Sequence, residues 1–247
     1  TTNGVHMDES SGLIWSPSHF TWMDTNYPAG TPREGYPIEI QALWIRLLKH
    51  LHRLNPEGEW GDLAHRAAGS LNSLYGNQND LWLSDCLHAK SGITAINAQK
   101  DGYLRPNALV AVALEGIDCE LARKTVLAAR DHLIVPGGIR TLAPLEVVFP
   151  LEIKSANGDL LNDPYKPYWA TYEGDEDTRR KPAYHNGTAW IWPYPSFCEA
   201  LSKSWDGEAS AVHAAKSYLL SVEPLLNEGC IGHLPEILDG NAPHMQR

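Results

Sequence analysis

Apolar residues recur at helical spacing in three parts of the chain, and each part divides into two neighbouring helices. In the first part, the helix Ile38–Leu54 is apolar on more than one side, whereas the helix Trp60–Leu74 carries one apolar stripe opposite Asp62, His65 and Arg66. A helix that is apolar on two faces is covered on both, and a helix with one stripe lies at the surface. The pattern therefore predicts an inner helix followed by an outer one.

The same alternation returns in the middle of the chain. A proline near the first helical position, Pro106, opens a helix in which Ala108–Leu114 is apolar all round. The next helix, Glu120–His132, keeps its charged residues on its outer side, and Asp118 stands where a helix cap is expected. This second pair is again predicted to combine a buried helix with an outer helix.

A third pair is predicted at about Thr188–Lys203 and Glu208–Leu226, where Pro193 and Pro195 confine regular helix to the later part of the first member. Helical hairpins that alternate inner and outer helices predict a mainly α toroid with a pocket at one end of its inner ring. No linker interrupts the pattern, so residues 1–247 are predicted to form a single domain.

The segments Gly76–Leu104 and Pro136–Gly187 lack helical periodicity and are rich in turn residues. Short extended stretches are predicted inside them at Leu81–Leu83 and Gly137–Leu142. Loops of this length within a compact domain usually carry function. We therefore expect candidate chemistry in these loops and in the loop before the first helix.

Composition narrows the class of ligand. The net charge is -10 and no Lys/Arg-rich run occurs, which argues against nucleic acid and anionic membrane surfaces as partners. No apolar run approaches the roughly 20 residues of a membrane span, and the first residues do not resemble a signal peptide. Four cysteines stand far apart without a CxxC pair, which disfavours zinc and suits reduced thiols in the cytoplasm: Cys86, Cys119, Cys198 and Cys230. A neutral substrate is favoured, and no cofactor is predicted.

Polar and aromatic residues cluster in three stretches, Thr21–Trp44, Tyr184–Trp192 and Leu234–His244. Tryptophan faces stack on sugar rings, while carboxylates, guanidinium groups and imidazoles bond to hydroxyl groups. The alternative interpretation is structural: Asp24 would cap a turn, His185 would be a satisfied core histidine and the tryptophans would be buried in the core. Composition alone leaves both interpretations open.

A series of motifs occurs in order along nearly the whole chain: TWMD at Thr21–Asp24, TPREGYPIEIQALW at Thr31–Trp44, RPN at Arg105–Asn107, GIRTLAP at Gly138–Pro144, YEGD at Tyr172–Asp175, AYHNGTAWIWPY at Ala183–Tyr194 and PEILDGNAPH at Pro235–His244. Together they resemble the C-terminal domain of glycogen debranching enzymes, the amylo-α-1,6-glucosidase part. The resemblance implies an (α/α)6 barrel, in agreement with the predicted hairpins. It also implies that Asp24 is the general acid and Glu236 the general base of an inverting glucosidase.

Inverting hydrolysis needs a protonated carboxyl at the leaving oxygen and a carboxylate that activates water on the opposite face of the ring, about 6.5–9.5 Å away. Two acids remote in sequence meet these needs if both lie at the ends of inner helices. The resemblance implies the following substrate-binding wall residues: Trp22, Arg33, Glu39, Trp44, Arg105, Asn107, His185, Trp190 and Asp239. No metal ligand is implied.

The chain departs from the family in two ways. Relatives commonly read YHQGTVWPW where this chain has HNGTAWIWP from His185 to Pro193, which displaces a proline but keeps the tryptophan spacing. The predicted helices also account for only about half to two thirds of an (α/α)6 ring. An incomplete ring exposes the apolar inner faces of Ile38–Leu54, Ala108–Leu114 and Ala189–Leu201, so we expect association with the rest of a parent protein or with a second copy.

The leading prediction is therefore a glycoside hydrolase that removes α-1,6-linked glucose at branch points of glycogen or another α-glucan. A hydrolase of the same fold for another α-glucoside or an α-mannoside is an alternative, and so is an inactive carbohydrate-binding fragment. The residues leave open whether the chain alone is active. A metal site built from four loop carboxylates is disfavoured because their spacing matches no metal-binding motif: Asp159, Asp163, Asp175 and Asp177.

Overall fold

The computed structural model describes residues 3–25, 31–76, 79 and 81–247. Parts of two predicted functional loops, residues 26–30, 77, 78 and 80, lie outside the described residues. The described residues form these α-helices: α1 (Ile38–Leu54), α2 (Trp60–Leu74), α3 (Asn107–Leu114), α4 (Cys119–His132), α5 (Lys181–Tyr184), α6 (Tyr194–Ser204) and α7 (Ala209–Leu220). They also form short strands: β1 (His6–Met7), β2 (Ile14–Trp15), β3 (Gly35–Pro37), β4 (Cys86–His88), β5 (Gln99–Lys100), β6 (Ile134–Val135), β7 (Gly138–Arg140), β8 (Ala189–Trp190) and β9 (Ile237–Leu238).

The long helices form the three pairs that the apolar pattern predicts. Helix α1 packs on α2, α3 on α4, and α6 on α7, while α1, α3 and α6 lie side by side as an inner layer. Residues of α3 are buried almost all round because this helix touches a neighbour on every side. The alternation of inner and outer helices is thus confirmed, whereas closure of the hairpins into a ring stays a prediction.

Capping and proline explain where two of these helices begin. The Asp118 carboxylate accepts backbone N–H groups of Glu120 and Leu121 at 3.0 and 3.2 Å, which confirms its predicted role as the cap of α4. Helix α6 begins only at Tyr194, after Pro193, because the residues before it join a sheet as β8. The prediction of helix from Thr188 was wrong for these residues, although the restriction by proline was right.

Two antiparallel sheets cover the N-terminal ends of the inner helices. Strands β3, β4 and β5 form one, and β6, β7, β8 and β9 form the other. Strand β3 runs directly into α1, and its pairing with β4 requires glycine at position 35, where φ is 129° and a Cβ atom would lie 2.2 Å from the Leu87 carbonyl oxygen. The sheets fix the loops that precede α1, α3 and α6.

The apolar faces of the inner layer are not equally covered. Leu109 of α3 and Phe197 of α6 are fully buried, but Leu43, Leu47 and Leu54 of α1 are 52%, 48% and 83% exposed. The expected exposure of all three inner helices is therefore wrong for most of α3 and α6. It holds for one face of α1.

Helices of the described residues are all too short or too polar to cross a membrane. Within the same described ranges, no three His, Cys, Asp or Glu side chains converge as metal ligands would. The four cysteines carry free thiols, and burial raises the pKa of Cys86 and of Cys198, the latter to about 11.

Candidate active site

Loops from distant parts of the sequence meet beside Trp22, in the loop before α1. The indole N–H of Trp22 donates to Asn107 Oδ1 at the start of α3, at 2.7 Å. The Trp22 ring also makes edge contacts with three rings of the loop before α6, at centroid distances of 4.7 to 5.4 Å: His185, Trp190 and Trp192. Candidate residues of all three inner hairpins are therefore brought together at one end of the helical layer.

The two tryptophans before α6 have different environments. Trp190 is 5% exposed, and its indole N–H donates to the Tyr184 carbonyl oxygen at 2.9 Å. Trp192 is 51% exposed and touches Trp22 edge-on. Trp192, which lies in the predicted aromatic cluster but was not among the predicted wall residues, therefore presents an exposed indole suited to stacking on a sugar ring. The predicted wall residue Trp190 is instead buried against Trp22.

Both candidate acids are exposed at the rim of this aromatic cluster. Asp24 follows Trp22 by two residues, and Glu236 directly precedes β9, which pairs with β8 through Ile237 and Trp190. The register of these two strands brings Glu236 beside the loop that holds the aromatic residues.

Tyr184 lies beside one of the two acids, Glu236. Its hydroxyl donates to Glu236 Oε1 at 3.4 Å. Burial is the largest cause that raises the pKa of Tyr184 to about 12, followed by the charges of Glu236, Tyr172 and, more weakly, Asp24. Tyr184 therefore lies within electrostatic reach of both carboxylates, although it was not among the predicted site residues. The separation of the two carboxyl groups stays a prediction.

A buried layer of charged residues lies behind this rim. Arg33 is 3% exposed and forms a two-pronged ion pair with Glu39, with both N–O distances at 2.6 Å. Its Nε and Nη2 atoms also donate to Asp85 at 2.7 and 3.1 Å. Burial alone would lower the pKa of Arg33, but the charges of Asp85 and Glu39 outweigh it and raise that pKa. Arg33 and Glu39 are thus engaged with each other rather than open to solvent.

Arg105 extends the layer toward the loop before α6. Its Nη1 donates to the carbonyl oxygens of Thr141 and His185, and its Nη2 donates to Asn186 Oδ1 at 2.9 Å. The pKa of Arg105 is lowered by burial, against the opposing charge of Asp85. The Arg105 guanidinium therefore fixes the backbone at His185.

His185 is 1% exposed, and neither ring nitrogen has a hydrogen-bond partner within the part of the chain that the structure describes. Burial, followed by the charges of Arg105 and Arg33, lowers its pKa to about 3. The imidazole is thus neutral at ordinary pH. A neutral imidazole has one donor and one acceptor nitrogen, and both suit a sugar hydroxyl or an ordered water.

Two further predicted wall residues make other contacts. Asp239 accepts the backbone N–H of Tyr172 at 2.9 Å and pairs with Arg247, so it anchors the segment that carries Glu236. The indole N–H of Trp44 donates to the Gly12 carbonyl oxygen at 3.0 Å and ties α1 to the loop after β1. Both contacts are structural.

Two cavities, of about 450 and 690 Å³, share Phe149 as a lining residue, and neither is lined by Asp24 or Glu236. Exposed carboxylates beside an aromatic wall, with a buried ionic layer behind them, are typical of a domain that binds or processes carbohydrate.

Comparison with known proteins agrees with this class. The family model described as amylo-alpha-1,6-glucosidase matches residues 1–247, and the chain belongs to that family. The resemblance found in the motifs is thereby confirmed. A relative, the glycogen debranching enzyme of Saccharomyces cerevisiae (strain ATCC 204508 / S288c), is 28% identical over 243 residues, with 80% of this chain covered. The chain spans 15% of the length of that relative.

Proposed function

We propose that this chain removes α-1,6-linked glucose at branch points of glycogen or a related α-glucan, by a single displacement that inverts the anomeric centre. Membership of the amylo-alpha-1,6-glucosidase family supports the reaction class. The observation that carries the assignment of the acids is the position of Tyr184, which bonds to Glu236 and is also within electrostatic reach of Asp24. We infer from this that both candidate acids border one cleft.

In the proposed reaction, Asp24 donates its proton to the glycosidic oxygen as the bond from that oxygen to C1 breaks. Glu236 accepts a proton from a water molecule whose oxygen attacks C1 from the opposite face. The products are the shortened glucan and β-glucose, and a proton returns from Glu236 to Asp24 through solvent. The mechanism requires a carboxyl separation of about 6.5–9.5 Å when substrate is bound.

The remaining residues bind and orient the sugar. Trp22 and the exposed face of Trp192 provide stacking surfaces, and the neutral ring of His185 bonds to a hydroxyl group that reaches it. Arg33, Glu39, Arg105 and Asn107 hold these side chains in place from the buried layer. Pre-ordered side chains of this kind reduce the entropy that the reaction must otherwise lose.

A substrate panel tests the proposal. Purified protein, both as the 247-residue chain and as any longer polypeptide that carries it, is incubated with three glycans: an oligosaccharide with a single α-1,6-linked glucose branch, a linear α-1,4-linked oligosaccharide and an α-mannoside. We expect glucose from the branched oligosaccharide and little product from the other two. Preferential cleavage of the mannoside would replace the proposed substrate, and binding without hydrolysis in every form would show a carbohydrate-binding domain instead.

A further inference from the structure

We propose that Asp85 is a positioning residue for the reaction at Asp24, acting through Asn107 and Trp22. The proposal rests on the proposed function, because it concerns the loop that carries the general acid. Asp85 lies outside the motifs that identify the family, and it is 1% exposed. It does not reach the rim of the cleft itself.

The hydrogen-bonding capacities of the three side chains fix the direction of the relay. An indole N–H can only donate, so Asn107 must turn its oxygen toward Trp22, where the distance is 2.7 Å. The Asn107 amide nitrogen then faces Asp85 Oδ1, also at 2.7 Å. A nitrogen donor of this kind needs an acceptor, which the carboxylate oxygen supplies. One buried carboxylate therefore determines the orientation of both other groups.

Guanidinium groups surround the Asp85 carboxylate. Arg33 donates to both of its oxygens, from Nε at 2.7 Å and Nη2 at 3.1 Å, and Arg105 Nε lies 3.7 Å from Oδ2. A buried carboxylate with charged donors on both oxygens is held in one rotamer. Asp85 thus transmits a fixed geometry from the buried ionic layer to Asn107.

The relay ends close to the reacting groups. Trp22 is two residues before Asp24, and its ring also contacts Trp192, the exposed stacking surface. Ring contacts alone fix the position of the indole less strictly than a hydrogen bond does. Loss of the relay is therefore expected to let Trp22 rotate and to move Asp24 relative to bound sugar, and a displacement of about 1 Å costs about 100-fold in rate.

A spectroscopic test follows the relay without relying on activity. The chain contains nine tryptophans. When it is labelled with 5-fluorotryptophan, the resonance that disappears in Trp22→Phe belongs to Trp22. We expect Asp85→Asn to shift that resonance, because the Asn107 amide no longer faces a carboxylate. The control Tyr75→Phe, which removes a buried hydrogen bond to the Tyr36 carbonyl oxygen at 2.7 Å, is expected to leave it in place.

A double-mutant cycle then measures the coupling in the reaction. Asp85→Asn is expected to reduce kcat/KM about 100-fold in the otherwise unchanged chain. In the Trp22→Phe background, Asp85→Asn is expected to reduce kcat/KM less than about 3-fold, because the side chain at which the relay ends is already absent. Asn107→Ser interrupts the relay while leaving the ion pair of Asp85 and Arg33 intact. It replaces Asp85→Asn in the cycle if that variant does not fold.

An unmoved Trp22 resonance in Asp85→Asn would overturn the proposal. Equal costs of Asp85→Asn in the two backgrounds would also overturn it, since the residue would then act independently of Trp22. If the unchanged chain and every longer form hydrolyse no glycan, the proposed function fails, while the fluorine spectra still decide whether Asp85 positions Trp22.

Discussion

The rim of the candidate cleft and the layer behind it are built on opposite principles. At the rim, Asp24, Glu236 and Trp192 are exposed. Behind it, Arg33 and Asp85 are almost fully buried and bonded to charged partners. The rim groups are accessible to a substrate, whereas the charged groups of the buried layer are paired with one another. We infer that the rim carries the proposed chemistry and that the buried layer positions it.

The largest effect on activity is expected from the rim acids. We predict that Asp24→Asn and Glu236→Gln each reduce kcat about 10²–10⁴-fold, because each removes one proton transfer. The urea midpoint should stay the same, since both side chains are exposed. The matched control is Glu120→Gln, an exposed carboxylate on α4. Full activity in either acid variant would remove that residue from the mechanism.

The largest effect on stability is expected from the buried layer. Arg33→Met leaves the Glu39 and Asp85 carboxylates buried without their partner, so we predict a loss of about 3–5 kcal/mol in the free energy of unfolding. Lys90→Met breaks an ion pair with Glu34 in which the lysine is 84% exposed, and it should cost less than about 1 kcal/mol. Urea denaturation of both variants measures the difference. Equal losses would mean that the buried layer is no more important than a surface pair.

The pH dependence of stability tests the environment of His185. Its pKa is about 3 in the folded chain and close to 6.5 when unfolded, so between these values the unfolded state binds more protons. The contribution of neutral His185 to the free energy of unfolding is therefore fully present above pH 6.5. It is lost as the pH drops toward 3, by at most about 1.4 kcal/mol per pH unit. We predict that His185→Gln reduces this slope in urea melts at pH 7, 6 and 5. The exposed His50→Gln should leave it unchanged, and a slope that persists in His185→Gln would contradict the assignment.

A smaller effect concerns the uncovered face of α1. Leu43 and Leu47 lie one turn apart on it and are about half exposed. Burial of apolar surface stabilises by roughly 25 cal/mol per Å², so the face favours association with a partner or a second copy. We predict self-association at micromolar concentration by light scattering, weakened by the combined change Leu43→Glu and Leu47→Lys. A monomer at all concentrations would show that the exposed leucines carry no interaction.

The helices could be predicted from the sequence because apolar periodicity is a local property. The sheets could not, since strands of two or three residues such as β8 and β9 carry no detectable period and depend on pairing partners far apart in the chain. This sheet also explains why Trp190 is buried, although it was predicted to be a wall residue of the substrate site. Its register buries Trp190, whereas Trp192 lies beyond the end of β8 and is exposed.

The two rim acids could be predicted because they lie inside recognisable motifs. Asp85 could not, because it is an isolated acid in a loop without periodicity, and its partners Arg33 and Asn107 are 52 and 22 residues away. Tyr184 was visible within a motif, but its bond to Glu236 joins residues 52 positions apart. Long-range hydrogen bonds leave no local signal in a single sequence.

The proposed mechanism requires Asp24 and Glu236 to act on opposite faces of one sugar ring. Proton NMR of the anomeric region during hydrolysis of the branched oligosaccharide tests this claim directly, because it identifies the first-formed anomer before mutarotation. If the reaction inverts the anomeric centre, β-glucose appears first and α-glucose follows only as the sugar equilibrates. Initial release of α-glucose would show retention and would contradict the proposed roles of both acids.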